Sequence, residues 1–231
     1  LSVRENLRHI KGRVEAAAHR AGLNPGNVKI IAVTKRVPVE RVREVLDAGI
    51  TDLGENRVQE LTDKVEQLPP QTRWHLIGHL QTNKVKSVVG RVELLHSLDR
   101  WKLALEVDRQ AGEQGVIVPA LIQVNVSGEK TKFGIKPSEL MDFLAALQEL
   151  RHVKVKGLMT IAPYVDDPEE ARPFFRELRL LARRGNEKLP GSGLELLSMG
   201  MTNDYEVAVE EGANLIRLGT AIFGARVNFK Q

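Results

Sequence analysis

Lys35 ends an apolar run. The stretch IIAVTKRVP, residues 30–38, is short, rich in β-branched residues and stopped by Pro38, the pattern of a strand buried in a parallel sheet. Side-chain alternation sets Ile31, Val33 and Lys35 on one face, so the ammonium lies at the C-terminal mouth of the strand and faces inward. Many strands end on a solvated lysine, and Lys is rarely buried for packing alone. The other chemistry-bearing stretches decide its reading. In SMGMTNDYE, residues 198–206, Gly200 lets a backbone come close, Thr202 or Asn203 can cap the next helix, and Glu206 stands three after Asn203 as in a capping box. In RLGTAIFG, residues 217–224, Gly219 and Thr220 repeat the pattern at the start of a short helix. Loops of this kind favour an anion, and a phosphate-sized one is expected there. A phosphate on one side and an inward amine on the other suggest a carbonyl ligand bound as an imine. Burial beside a cation such as Arg36 leaves a lysine with more unprotonated amine, the form that attacks an aldehyde. Pyridoxal 5′-phosphate carries both the aldehyde and the phosphate, and Arg217 could keep its ring nitrogen unprotonated.

The elements that must position these residues alternate along the chain. Apolar runs predict strands at 28–35, 51–55, 74–78, 92–97, 118–126, 153–161, 194–199 and 214–218. Amphipathic patterns predict helices near 38–48, 57–67, 81–89, 100–113, 137–150, 168–186 and 203–211, with a short one after 220. An amphipathic helix precedes the first strand. The expected fold is therefore α/β, a single (β/α)8 TIM barrel with an extra N-terminal helix, one domain over residues 1–231. Such barrels keep their chemistry at the C-terminal strand ends. There the sequence also places Glu55, Asn56 and Arg57 after strand two, His75 on strand three, Gln123, Asn125 and Ser127 on and after strand five, and Thr160 after strand six. Lys130 and Lys132, in the loop after strand five, read as solvated, with a secondary aldehyde or anion site as the alternative.

The chain of 231 residues is 42% hydrophobic, enough for a sizeable core, and its 34 Lys+Arg against 30 Asp+Glu leave a charge of +4. The basic residues are scattered over helices, so no nucleic-acid partner is expected. Without cysteine there is no disulfide, thiolate metal site or cysteine nucleophile, and no metal is expected. No apolar stretch approaches the roughly 20 residues that span a bilayer, and no secretory leader is seen, so no membrane role is expected.

The motifs AVTKRVP, DLGENRVQE, WHLIGHLQTNK, KTKFGI, GLMTIAP and LSMGMTNDYEVAVEEGANLIRLGTAIFGAR, in this order over nearly the whole chain, closely resemble those of the pyridoxal phosphate homeostasis proteins. These are similar to the N-terminal barrel of alanine racemase. The resemblance implies that Lys35 is the Schiff-base lysine. It implies that the loops holding Ser198, Gly200, Met201, Thr202, Gly219 and Thr220 take the phosphate, that Arg217 faces the pyridine nitrogen, and that Asn56 and His75 sit near the ring. It also implies a cytoplasmic, monomeric, non-catalytic protein that stores, buffers or delivers pyridoxal phosphate, with apo-enzymes as recipients. The alternative is an amino-acid racemase. That chemistry needs a second acid/base, usually a tyrosine of a separate β-domain. The sequence given ends at Gln231, directly after the eighth βα unit, and such a domain is expected to be absent. Its tyrosines, Tyr164 and Tyr205, fall on loops or helix starts.

Overall fold

In the computed structural model, which describes residues 2–224, every expected apolar run becomes a strand. The chain runs α1 (Val3–Arg20), β1 (Lys29–Val33), α2 (Val39–Asp47), β2 (Asp52–Glu55), α3 (Val58–Val65) and β3 (Arg73–Leu76). It continues through β4 (Leu94–Leu98), α4 (Trp101–Gln114), β5 (Val118–Gln123), α5 (Leu140–Leu147) and β6 (Val153–Met159). The last elements are α6 (Arg172–Lys188), β7 (Leu196–Ser198), α7 (Tyr205–Glu210), β8 (Leu215–Leu218) and α8 (Thr220–Phe223). The strands form one closed barrel in sequence order, sealed where Ile31 pairs with Arg217 and Ala32 with Leu218 in parallel register. The expected (β/α)8 barrel with its additional N-terminal helix is the observed fold. Ala225 and Arg226 of the last motif, and the ends of the expected 1–231 domain, lie outside the described residues.

Two local expectations are corrected. The helix read over 81–89 is a 3₁₀ helix, Thr82–Ser87. Thr82, Val85, Val88 and Val89 are β-branched and poorly suited to an α turn, and Gly90 follows in a left-handed conformation with φ 77°. The capping box from Asn203 to Glu206 does not form. Residues 202–204 make a turn, the Asn203 amide donates to the Val165 carbonyl at 2.8 Å, and Asp204 takes the position before α7. A true capping box opens α1, where Ser2 Oγ accepts from the Glu5 N–H at 3.2 Å and the Ser2 N–H donates to the Glu5 carboxylate at 2.8 Å. This helix is fastened to the far end of the chain. Asn6 donates to the Ile222 carbonyl at 2.9 Å, and Arg20 donates to Glu210 at 2.7 Å.

The core has two parts. Between strands and helices lies a large apolar shell that includes Leu53, Leu61, Leu95, Ile122, Leu140 and Phe175, all fully buried. Inside the barrel is a small cluster of Ile31, Leu94, Leu121, Met159 and Leu215. The rest of the interior carries buried polar side chains from β2, β3, β4, β7 and β8.

Candidate functional site

Lys35 follows β1 at the C-terminal mouth, and both of its neighbours are anchored. The Thr34 hydroxyl donates to Glu55 at 2.6 Å, and the Lys64 ammonium donates to the Thr34 carbonyl and to Glu55, each at 2.6 Å. Glu55 is fully buried and Lys64 nearly so. An ion pair this deep fixes geometry more than it adds stability, because desolvation offsets its Coulomb gain. On the other side Arg36 has φ 57°, the one positive φ outside glycine among the described residues, and its N–H donates to Glu60 at 2.7 Å. A left-handed arginine persists only where its surroundings hold it. The backbone around Lys35 is thus set by β2 and α3.

Lys35 opens onto a cavity of about 540 Å³, of the size that takes a small cofactor. Its walls come from Val33 and Lys35, from Glu129 and Lys132 after β5, from residues 161–165 after β6, from 201–204 after β7, and from Arg217, Gly219 and Thr220. Of the expected site residues the cavity brings together Lys35, Met201, Thr202, Arg217, Gly219 and Thr220. Asn56, His75, Ser198 and Gly200 do not line it. Asn56 lies just beyond β2, with a buried side-chain oxygen that accepts no hydrogen bond among the described residues. Gly200, at φ 90°, shapes the loop: a Cβ there would stand 2.6 Å from that of Ala208. Its carbonyl accepts the Arg217 N–H at 3.0 Å.

His75 and Ser198 do not line the cavity: both are buried, and their side chains join a hydrogen-bonded line inside the barrel. Arg217 Nη1 donates to Ser198 Oγ at 2.6 Å, and His96 Nδ1 stands 2.9 Å from the same oxygen. His96 Nε2 is 3.0 Å from His75 Nδ1, and His75 Nε2 is 3.0 Å from Asp52 Oδ1. Arg73 closes the line on Asp52 at 2.6 Å. Burial alone raises the Asp52 carboxyl, but the bonds from His75 and Arg73 more than offset it and hold it at about 2. Burial above all, with the charge of Arg217 beside it, pushes His96 well below the usual histidine range. Burial lowers Arg217 to about 10, against the pull of Asp204.

In the loops after β7 and β8, the Met201 N–H is committed to Asp204 at 2.6 Å and the Ala221 N–H to Thr202 Oγ at 3.2 Å. Gly219 leaves its wall bare: a Cβ there would meet only Val33, at 3.6 Å, and would otherwise take up space beside the cavity. With an amine, a guanidinium, the Thr202 and Thr220 hydroxyls and apolar walls, the residues fit an anionic, aromatic aldehyde.

Sequence reading missed several participants. Lys132, read as solvated, is half-buried, pairs with Glu129 and lines the cavity. Its place in the KTKFGI motif was the available signal. Tyr164 lines the mouth while 85% exposed. Tyr205 is buried under the Arg13 guanidinium, away from the cavity. His96 could have been found by alternation, which sets it on the face of Leu94.

The family model described as the alanine racemase N-terminal domain matches residues 5–227. The pyridoxal phosphate homeostasis protein of Aquifex aeolicus is 46% identical over 96% of this chain and 97% of its own length. That of Escherichia coli K12 is 35% identical over 97% of each. PipY of Synechococcus elongatus, solved with PLP bound, is 36% identical, with a TM-score of 0.83 over 96% of this chain and 100% of its own. The chain belongs to the alanine racemase N-terminal domain family and, within that class of barrels, to the pyridoxal phosphate homeostasis proteins.

Proposed function

We propose that this protein binds pyridoxal 5′-phosphate and stores, buffers or delivers it to apo-enzymes, without catalysing a reaction of its own. The observation that carries this reading is that Lys35 and Arg217 face one cavity with the Gly219–Thr220 loop in its wall. When bound, the ligand supplies an aldehyde and an electron-withdrawing ring. Lys35 would hold the ligand through its amine, toward which the aldehyde would supply a carbon able to form a C=N link with loss of water. The loops holding Met201, Thr202, Gly219 and Thr220 receive the phosphate, with Ser198 and Gly200 shaping them from beneath. Arg217 meets the ring nitrogen as a cation and denies it a proton, which makes the ring a poor electron sink. Asn56 and His75 support the ring side without lining the cavity. The same reading has the protein act as a cytoplasmic monomer, its residues 1–231 forming one domain, with no nucleic-acid or membrane partner. No helix among the described residues is long and apolar enough to cross a membrane.

Borohydride reduction of the loaded protein and peptide mapping test the covalent link. Label on Lys35, lost in Lys35→Ala, is expected; label mainly on Lys130, Lys132 or a helix lysine overturns it.

The racemase reading draws on Tyr164 at the mouth. Inversion needs two positioned proton carriers, each worth about 10²–10⁴-fold, and a tyrosine this exposed is not held in place. Loaded protein with L- or D-alanine in deuterated water is expected to show no inversion. Saturable inversion lost in Lys35→Ala would favour the racemase.

A further inference from the structure

The line of polar side chains through the barrel has a direction. Arg217 is only a donor, so Ser198 Oγ accepts from it and keeps its own hydrogen to give. Asp52, held ionised, is only an acceptor, so His75 Nε2 must carry the hydrogen between them. A neutral His75 then has a lone pair on Nδ1, which accepts from His96 Nε2–H. A neutral His96 in turn has a lone pair on Nδ1, which accepts from the Ser198 hydroxyl. Each donor has one acceptor, and the pattern runs from Arg217 to Asp52 without a conflict.

We propose that Asp52, His75, His96 and Ser198 are a positioning relay for Arg217: the carboxylate at the start of β2 fixes the tautomers of both imidazoles, and through them the Ser198 hydroxyl that holds the guanidinium. The relay rests on the reading that Arg217 meets the ring nitrogen of bound pyridoxal phosphate. Asp52, His75 and His96 lie outside the cavity lining, so they act through Arg217 and touch no ligand. Depression of His96 by burial agrees with a neutral imidazole there.

Inverting the line shows what the carboxylate is for. Without an acceptor at position 52, His75 is free to carry its hydrogen on Nδ1 and donate to His96 Nε2. His96 then carries its own on Nδ1, and two donors converge on Ser198 Oγ while the serine hydrogen loses the acceptor it had. In a site this buried an unmatched donor is costly, and the guanidinium is the group able to move away. It keeps its other bond, to the Thr160 carbonyl at 2.8 Å, and turns about it.

The test uses ¹⁵N-histidine-labelled full-length protein without ligand at neutral pH, then pyridoxal phosphate titration followed by absorption. In the wild type, hydrogen is expected on Nε2 of both His75 and His96. In Asp52→Ala it is expected to move to Nδ1, with affinity for pyridoxal phosphate lower by about tenfold, the worth of one hydrogen bond, and a shifted absorption band. Asp52→Asn, whose amide oxygen can still accept from Nε2–H, should restore the wild-type nitrogen signals and spectrum. Arg73→Ala, which removes an ion pair but not the acceptor, should leave them in place. A hydrogen on His96 Nδ1 in the wild type overturns the relay, as does Asp52→Ala with wild-type affinity and spectrum. Should Asp52→Ala fail to fold, the wild-type nitrogen signals decide. If the wild type itself binds no pyridoxal phosphate, the binding reading falls. The ligand-free nitrogen signals then decide the relay by whether Asp52→Ala moves the His96 hydrogen.

Discussion

The shell between strands and helices and the interior of the barrel are both buried, yet they are built differently. The outer shell is largely apolar, the buried Glu55–Lys64 pair between β2 and α3 apart, with Phe175 of α6 among its largest fully buried side chains. The interior gives only part of its space to Ile31, Leu94, Leu121, Met159 and Leu215, and the rest to a carboxylate, two imidazoles, a hydroxyl and a guanidinium. Apolar burial is non-directional and tolerates repacking, whereas a hydrogen-bonded line loses its value if one member turns. The outer shell holds the barrel closed; the inner line spends interior volume on orientation. TIM barrels more often fill this space with layers of branched aliphatic residues.

The comparison breaks first at Phe175. Phe175→Ala should cost about 3–5 kcal/mol in urea unfolding, through lost burial and a cavity, while Lys35 still takes the borohydride label in the folded fraction. A cost below about 1 kcal/mol would mean that the outer shell does not carry stability as described. Ser198→Ala removes only one oxygen, but it strands Arg217 Nη1–H and the ring nitrogen of His96. About 1–3 kcal/mol is expected, with a changed spectrum of bound pyridoxal phosphate that Phe175→Ala should not produce. A neutral Ser198→Ala would place the two polar groups in contact with water.

The third test is acid. Asp52 is held at about 2 in the fold against an ordinary 3.8, so the unfolded chain binds more protons between those values and stability falls as pH is lowered through them. Its contribution, about 2 kcal/mol from a shift of that size, is fully present above the unfolded value and gone below the folded one. Urea midpoints measured from pH about 5 to about 2 should therefore fall less steeply in Asp52→Asn than in the wild type; equal slopes would remove Asp52 as a source of the acid limb. The smallest effect belongs outside both regions. Arg183 and Glu187 pair at 2.8 Å on the open face of α6, and Arg183→Ala should change stability by only about 0.3–0.5 kcal/mol.

The two regions were unequally legible in the sequence. Strand periodicity reports burial directly, so VKIIAVTK and NLIRL were readable as strands, and the inward side of Lys35 followed from counting alternate residues. The pairing of strands is a different kind of fact. Asp52, His75 and His96 lie on separate strands, and only register across β2, β3 and β4 brings them into line. No local pattern encodes that register. His75 was accordingly expected beside the ligand, and His96 was passed over within its apolar run. The loop after β7 failed for another reason: Asn203, Asp204 and Glu206 are all plausible cap residues, and the choice was made by Val165 and Met201. Lys132 was misjudged because a lysine in a polar loop usually is solvated, and here Glu129 holds it at the cavity wall.

Barrel closure also sets when the protein becomes competent during its own synthesis. β1, which Lys35 follows, is made before its second neighbour β8, which carries Arg217 and leads into Gly219 and Thr220. Until then β1 has an unpaired edge, the feature most prone to pairing with other chains. The first helix waits as well, since Ile222 and Glu210 fasten it. A nascent chain therefore displays the lysine before the rest of the proposed site, and on the reading above cofactor capture waits for a finished barrel.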